Sequence, residues 1–281
     1  MSFRPIACRY RTIVRQTLLP GLIVIAAVGT AQAQVPVPVA TYTFNGNLNA
    51  QQGGVPALTA TDPLGTNAFS TATVFGVTRP IYQTIGAAPF AQEAGLTLDT
   101  TGLIPTNNYS VEMVFAFTQN ANGWRRIIDV SDRTQDTGLY VDTSNHVDVF
   151  NTGGGTSPFA LNTFFDVFVT VDPANNVNLY LNGTLEHTTT TTVMNIANPG
   201  DLMHFFLDNS NSEYSNANTA LIEVFNSALT SGDVATLSAD PFANAGPSPS
   251  VTAPEPGSAA LAAFGAFPLL AVLRLRRRTR A

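Results

Sequence analysis

The 281-residue sequence has no lysine, one cysteine, one tryptophan and no long run of helical periodicity. Each absence removes a class of protein. All 13 basic residues are arginine, and most sit at the ends: Arg4, Arg9, Arg11 and Arg15 at the start, Arg274, Arg276, Arg277, Arg278 and Arg280 at the finish. Between Gln34 and Ala253 only Arg79, Arg125, Arg126 and Arg133 face 18 acidic residues, a formal charge of −14. So acidic a body has little to offer a phosphate backbone, which argues against nucleic acid as a partner. Cations and neutral, hydroxyl-rich molecules suit it better. Cys8 precedes the body, which therefore has no disulfide, no thiolate zinc site and no cysteine nucleophile. Stability must come from an apolar core, and the roughly 200 residues from Val35 to Phe242 can bury one as a single domain.

What is present begins with the ends. Residues 1–33 read as an export signal: arginines, the apolar run LLPGLIVIAAVG, then AQA as a small-x-small cleavage pattern before Gln34. At the other end a Pro/Ser-rich linker, 243–253, leads to the uncharged stretch Ser258–Leu273 and then the arginine cluster. Its 16 residues make about 24 Å of helix. That falls slightly short of a ~30 Å hydrocarbon core, and Arg274 and Arg276 can snorkel to extend it. A positive cluster stays cytoplasmic. The expected precursor hangs from the membrane by a transmembrane helix, 258–273, with its acidic body outside.

The body, 34–242, alternates in short segments. In SVEMVFAF, Val111, Met113, Phe115 and Phe117 point one way and Ser110 and Glu112 the other; FDVFVTVD repeats the pattern. VNLYLNGTLEH predicts a hairpin turning at Asn182-Gly183. Shorter strands are expected at 39–44, 127–130, 138–141, 146–150, 204–207 and 220–225. One helix is expected in LTSGDVATLS, where Thr230 and Asp233 have capping-box spacing and Val234 and Leu237 share a face. Many short strands with almost no helix predict an all-β sandwich.

Two resemblances sharpen this. Pro254-Glu255-Pro256, an apolar segment containing Gly265 and the basic cluster with Arg276, Arg277 and Arg278 resemble the PEP-CTERM sorting signal of Gram-negative bacteria. That resemblance implies signal peptidase and a membrane exosortase as processing partners, and the cell surface or exopolysaccharide matrix as destination. Within the body, YTFNGNLN, SVEMVFAF, FFDVFVTVDPANNVNLYLNG and ALIEVFNSALTSGDVATL resemble, in order, segments of a laminin-G-like, concanavalin A-like jelly roll. The fold implied is an antiparallel two-sheet jelly-roll sandwich. Such folds host lectins, adhesion modules and glycoside hydrolases alike, so the fold by itself names no function.

Catalytic patterns are scarce. A glycosidase needs two carboxylates roughly 5–9 Å apart, and no E-x-D-x-E alternation supplies them along one strand. Asp129 and Asp132 read as solvated acids in a turn. His146, His187 and His204 are scattered, without zinc spacing. Gly153-Gly154-Gly155 opens no helix and reads as a mobile loop. The expectation is therefore a noncatalytic module, with a polysaccharide-active enzyme and a purely structural matrix protein as the alternatives.

Two sets of residues could bind. Asp208–Glu213 puts six oxygen-bearing side chains in a row, and calcium wants six to eight oxygens. The laminin-G resemblance implies Asp208, Asn209, Glu213 and Asn45 as calcium ligands; a polar loop with Asx-turns accounts for the same residues. Trp124, Tyr140 and Tyr214 are candidate platforms for sugar faces, with an exopolysaccharide or other surface glycan as ligand. Trp124 reads first as the edge of the core.

Overall fold

The computed structural model describes residues 36–120, 123–210 and 213–246. The expected export signal, linker beyond 246, sorting motif and transmembrane segment lie outside the described residues. Among the described residues no helix is long and apolar enough to cross a membrane.

The described chain builds β1 (Ala40–Tyr42), β2 (Thr59–Thr61), β3 (Ala68–Val74), β4 (Val77–Thr84), β5 (Gly95–Asp99), β6 (Tyr109–Phe117), β7 (Arg125–Asp129) and β8 (Leu139–Val141). There follow β9 (Val147–Val149), β10 (Gly153–Gly154), β11 (Phe165–Val171), β12 (Asn176–Leu181), β13 (Thr184–Thr190), β14 (Leu202–Phe205), β15 (Ala217–Phe225) and helix α1 (Ser231–Ala239). They form two antiparallel sheets. The eight-stranded one runs β13-β12-β11-β6-β15-β4-β3 with β1 paired to β15; the seven-stranded one runs β10-β9-β8-β7-β14-β5-β2. Side chains facing inward from both sheets, including Tyr109, Val111, Met113, Phe115 and Phe117 from β6, fill one core. This is the expected all-β sandwich.

The strands read from alternation formed, and Asn182 (φ 49°) with Gly183 (φ 77°) makes the β12–β13 turn. Five strands had no counterpart among those expected: β2, β3, β4, β5 and β10. β3 and β4 form an edge hairpin that is largely exposed, so their Thr-rich residues carry little apolar alternation, and Pro80 interrupts β4. Their turn uses Phe75 (φ 48°) before Gly76 (φ 82°), without the usual Asn-Gly. Gly153-Gly154 also differs from expectation: it pairs with Val149 and Asp148 as edge strand β10 instead of forming a loop.

β6 is buried along its whole length. Its second face is covered as well, because α1 and the chain after it lie across the eight-stranded sheet. Thr230 and Asp233 form the capping box, and Val234 and Leu237 pack with Phe168, Tyr180, Phe225 and Leu229. Phe242 closes a second apolar patch with Val74, Ile81, Val114 and Leu221, under Arg79, whose Cζ lies 3.6 Å from its ring. Residues 243–246, assigned to the linker by composition, belong to the sandwich instead: Asn244 Nδ2 donates to Pro36 O and to Glu223 Oε2, both at 3.2 Å, and Gln51 Nε2 to Ala245 O at 2.9 Å.

Candidate functional site

Arg126 is the centre of a polar network at one end of the seven-stranded sheet. A bulge after it in β7 sets it opposite Tyr140 of β8, and the side chains meet: Arg126 Nη2 donates to the tyrosine hydroxyl. The guanidinium is fully buried, so every donor needs an acceptor. Nη1 pairs with Asp129, Nε lies 3.0 Å from Asp208 Oδ1, and Nη2 reaches Asn209 Oδ1 at 3.1 Å and Asp136 Oδ1 at 3.3 Å. The Gln135 carbonyl accepts from both Nη atoms at 3.3 Å. Tyr140 in turn donates to Asp136 Oδ1 at 2.9 Å.

A second arginine extends the network. Arg133 donates from Nη2 to Glu93 Oε2 at 2.8 Å and from Nε to the Asp208 carbonyl at 2.6 Å. The same Glu93 oxygen accepts the Asp208 backbone N–H at 3.1 Å, while Asp208 Oδ2 accepts Ser210 N at 2.9 Å and Oγ at 2.7 Å. Asp136, Asp208 and Glu213 each direct a carboxylate oxygen to within 4.8 Å of the others. Five carboxylates thus share two guanidiniums. The imbalance shows in their acidity: burial first, then Asp208 and Asp136, push Glu213 up to about 7. Burial likewise raises Glu93 to about 7 despite Arg133.

The β7–β8 loop that carries Asp136 is built against local preference. Asp132 (φ 53°) and Arg133 (φ 58°) are consecutive left-handed residues, neither of them glycine. Asp129 holds them, its Oδ1 accepting Ser131 N at 3.1 Å and Arg133 N at 2.9 Å. Gly138 ends the loop at φ 139°, where an added Cβ would stand 2.3 Å from Ile128 O. Gly138→Ala is expected to cost roughly 3 kcal/mol in chemical denaturation, because backbone must move to admit the methyl.

The structure brings together Asp208, Asn209 and Glu213 and adds Asp136, which no local spacing links to them. Asn45 is not with them: it sits on the exposed turn after β1, its carbonyl accepting from Asn47 Nδ2 at 3.1 Å. The sequence reading of Asp129 as a solvated acid is overturned, since it is fully buried in its ion pair with Arg126. Trp124 is half-buried and meets Tyr140 and Phe150 edge to face at 5.7 and 5.3 Å. Tyr140 is fully buried, so its ring is committed to this cluster and offers no open face. Tyr214 is half-buried, and its carbonyl accepts from Asn120 Nδ2 at 3.3 Å.

A second acid cluster stands on the covered face of the eight-stranded sheet. Glu112 of β6 lies directly across from Glu223 of β15, and Asp166 of β11 is its diagonal neighbour. Exposure of the three is 0 %, 0 % and 1 %. Asp166 accepts from Ser238 Oγ of α1 at 2.5 Å, and Glu223 from Thr41 Oγ1 and Asn244 Nδ2, both at 3.2 Å. Burial drives Asp166 and Glu223 up to about 7 each; burial, then Asp166 and Glu223, drive Glu112 well up. Carboxylates thus gather across strands, where a search along single strands could not find them.

Two sheets of this topology, one flanked by α1, find a counterpart among known families. A family model described as the concanavalin A-like lectin/glucanases superfamily matches residues 90–235. The chain belongs to that superfamily. Solved structures similar to this concanavalin A-like sandwich include domain 4 of an extracellular arabinanase from Geobacillus stearothermophilus, in complex with arabinotriose. There the TM-score is 0.54 at 14 % identity, covering 73 % of this chain and all 100 % of that one. The binding domain of botulinum neurotoxin DC in complex with SialylT gives 0.51 at 12 % identity, covering 73 % and 51 %. A botulinum neurotoxin type C structure concerned with two ganglioside molecules also gives 0.51 at 12 %, covering 71 % and 50 %. The chain thus spans about half the length of these neurotoxin chains. No curated protein matches.

The concanavalin A-like sandwich also carries a cavity of about 350 Å³ behind the β7–β8 loop, closed on its other side by the β13–β14 loop. Asn198 joins these walls: its buried side chain donates to Val130 O at 3.0 Å and Leu202 O at 2.9 Å. Asp132 is fixed by His204, whose ring nitrogens reach Asp132 Oδ1 at 3.0 Å and Thr97 Oγ1 at 2.8 Å.

Proposed function

We propose that this chain is an exported, noncatalytic module of the cell surface or exopolysaccharide matrix that binds carbohydrate, with calcium at Asp136, Asp208 and Glu213. The observation that carries the reading is where the polar groups lie. Those at the loop end surround a cavity and an acidic cluster, whereas the acids on the sheet face are covered by α1 and Asn244. Membership of a lectin/glucanase superfamily, and likeness to domains solved with arabinotriose and SialylT, support a glycan as ligand. Export, exosortase processing and the transient membrane anchor rest on the sequences at the two ends.

The donor set fits calcium. A hard cation takes carboxylate and carbonyl oxygens, and three carboxylates converge here. Calcium would supply the countercharge that these carboxylates lack. Calcium affinity is therefore expected to rise as pH climbs through about 7, where Glu213 ionises. Differential scanning calorimetry should show a melting temperature raised by millimolar calcium at pH 8 and little changed at pH 5.5. No response at either pH removes calcium from the reading, and an equal response at both removes Glu213 from its ligands.

Retention of the full chain on its host's exopolysaccharide, with calcium or with chelator, tests the function. Saturable retention is expected. A polysaccharide-active enzyme is the second reading, favoured by Glu112, Asp166 and Glu223 standing on neighbouring strands; glycan turnover by the purified chain would establish it.

A further inference from the structure

We propose that the cavity between the β7–β8 and β13–β14 loops is a binding site for a neutral oligosaccharide. This rests on the glycan-binding reading above and gives it a place. At about 350 Å³ the cavity is of the size that takes a small ligand. Its polar wall comes from Ser131, Asp132, Thr134, Gln135, Thr192 and Asn195, and Val130, Val193 and Pro199 supply apolar surface. No arginine lines it, so a phosphate, sulfate or carboxylate would meet no countercharge. One carboxylate is too few for a hard divalent cation. Hydroxyls and amides that both donate and accept, beside apolar carbon, match a sugar ring with its hydroxyl rim and C–H faces.

The walls are rigid enough to hold a pose. The left-handed pair Asp132–Arg133 is over-determined by Asp129, and Asn198 ties the loops to each other. Asn195 carries the polar wall onward: its Nδ2 donates to Asn175 Oδ1 at 3.0 Å. Asn107 Nδ2 approaches the same Asn175 oxygen at 3.4 Å. A row of three half-buried amides therefore continues from the cavity wall.

The test is saturation-transfer NMR on the full chain with arabinotriose, xylotriose and cellotriose as neutral probes and trigalacturonic acid as an anionic one. Saturable binding of at least one neutral trisaccharide is expected, with none of the acid. Thr192→Trp fills the cavity from an exposed position and is expected to weaken binding at least tenfold. Asn195→Ala should weaken it severalfold, and Leu185→Trp, on the exposed face of β13, should leave it unchanged. Melting temperatures show that each variant is folded. Wild-type affinity in folded Thr192→Trp overturns the cavity and leaves the glycan-binding reading intact, as does retention on exopolysaccharide without binding of any probe. Preference for the acid overturns the ligand class. Failure of both retention and probe binding overturns the two readings together.

Discussion

Arg126→Leu is expected to lose about 3–5 kcal/mol of folding stability at neutral pH, the cost of removing one partner from a buried ion pair. The arginine is fully buried, and so are Asp129 and Asp208, the carboxylates it pairs with. Leucine fills part of the space but leaves those two acids without a countercharge. Urea denaturation should show the loss as a lowered midpoint at unchanged slope. Adding Asp129→Asn and Asp208→Asn to Arg126→Leu should recover part of it. A loss that the two amides do not reduce would mean that Arg126 acts through packing of its stem and not through charge.

The second large effect concerns the acids under α1. Asp166 and Glu223 both have folded-state values raised to about 7, from ordinary values of 3.8 and 4.5. An acid so raised binds its proton more tightly in the folded state. Its stabilisation is complete below the unfolded value and is lost as pH rises through the folded one. Stability should therefore be greatest near pH 4–5 and decline through pH 7, by on the order of 4 kcal/mol for a carboxyl moved as far as Asp166. Glu112, raised in the same sense by burial and then by Asp166 and Glu223, makes the sharpest variant. Glu112→Gln needs no proton, so its melting temperature should exceed wild type at pH 8 and match it at pH 5. A wild-type protein more stable at pH 8 than at pH 5 would refute the account.

The covered triad also bears on chemistry. Ser238 and Asn244 reach down to Asp166 and Glu223 from α1 and the segment after it. Substrate could approach these acids only if that cover left, which supports binding over turnover as the first reading.

Much of this was legible in the residues. β6 and β11 announce themselves because two-residue alternation with large apolar side chains has one stable outcome. Asn182-Gly183 does so because few other pairs accept two positive φ angles. Thr230 and Asp233 cap their helix through contacts three residues apart, which any sequence displays. The edge hairpin β3–β4 was not legible, since exposed strands need no alternation and Phe75-Gly76 is an unusual turn. Asp208, Asn209 and Glu213 could be singled out as one local run; Asp136 could not, because it joins them from a different loop.

The sequence by itself determined the all-β class, the acidic body with so few cations, and the basic, apolar ends that read as addresses. These follow from composition and local periodicity, which act within a few residues. Only the tertiary structure decided which charges meet. It buried Arg126 among acids from three parts of the chain and turned Tyr140 from a candidate surface ring into a buried hydrogen-bond partner. It also set Glu112 across from Glu223 and closed a cavity between two loops. Such pairings are fixed by strand order and register, and the free energy that fixes them is the burial of the whole core.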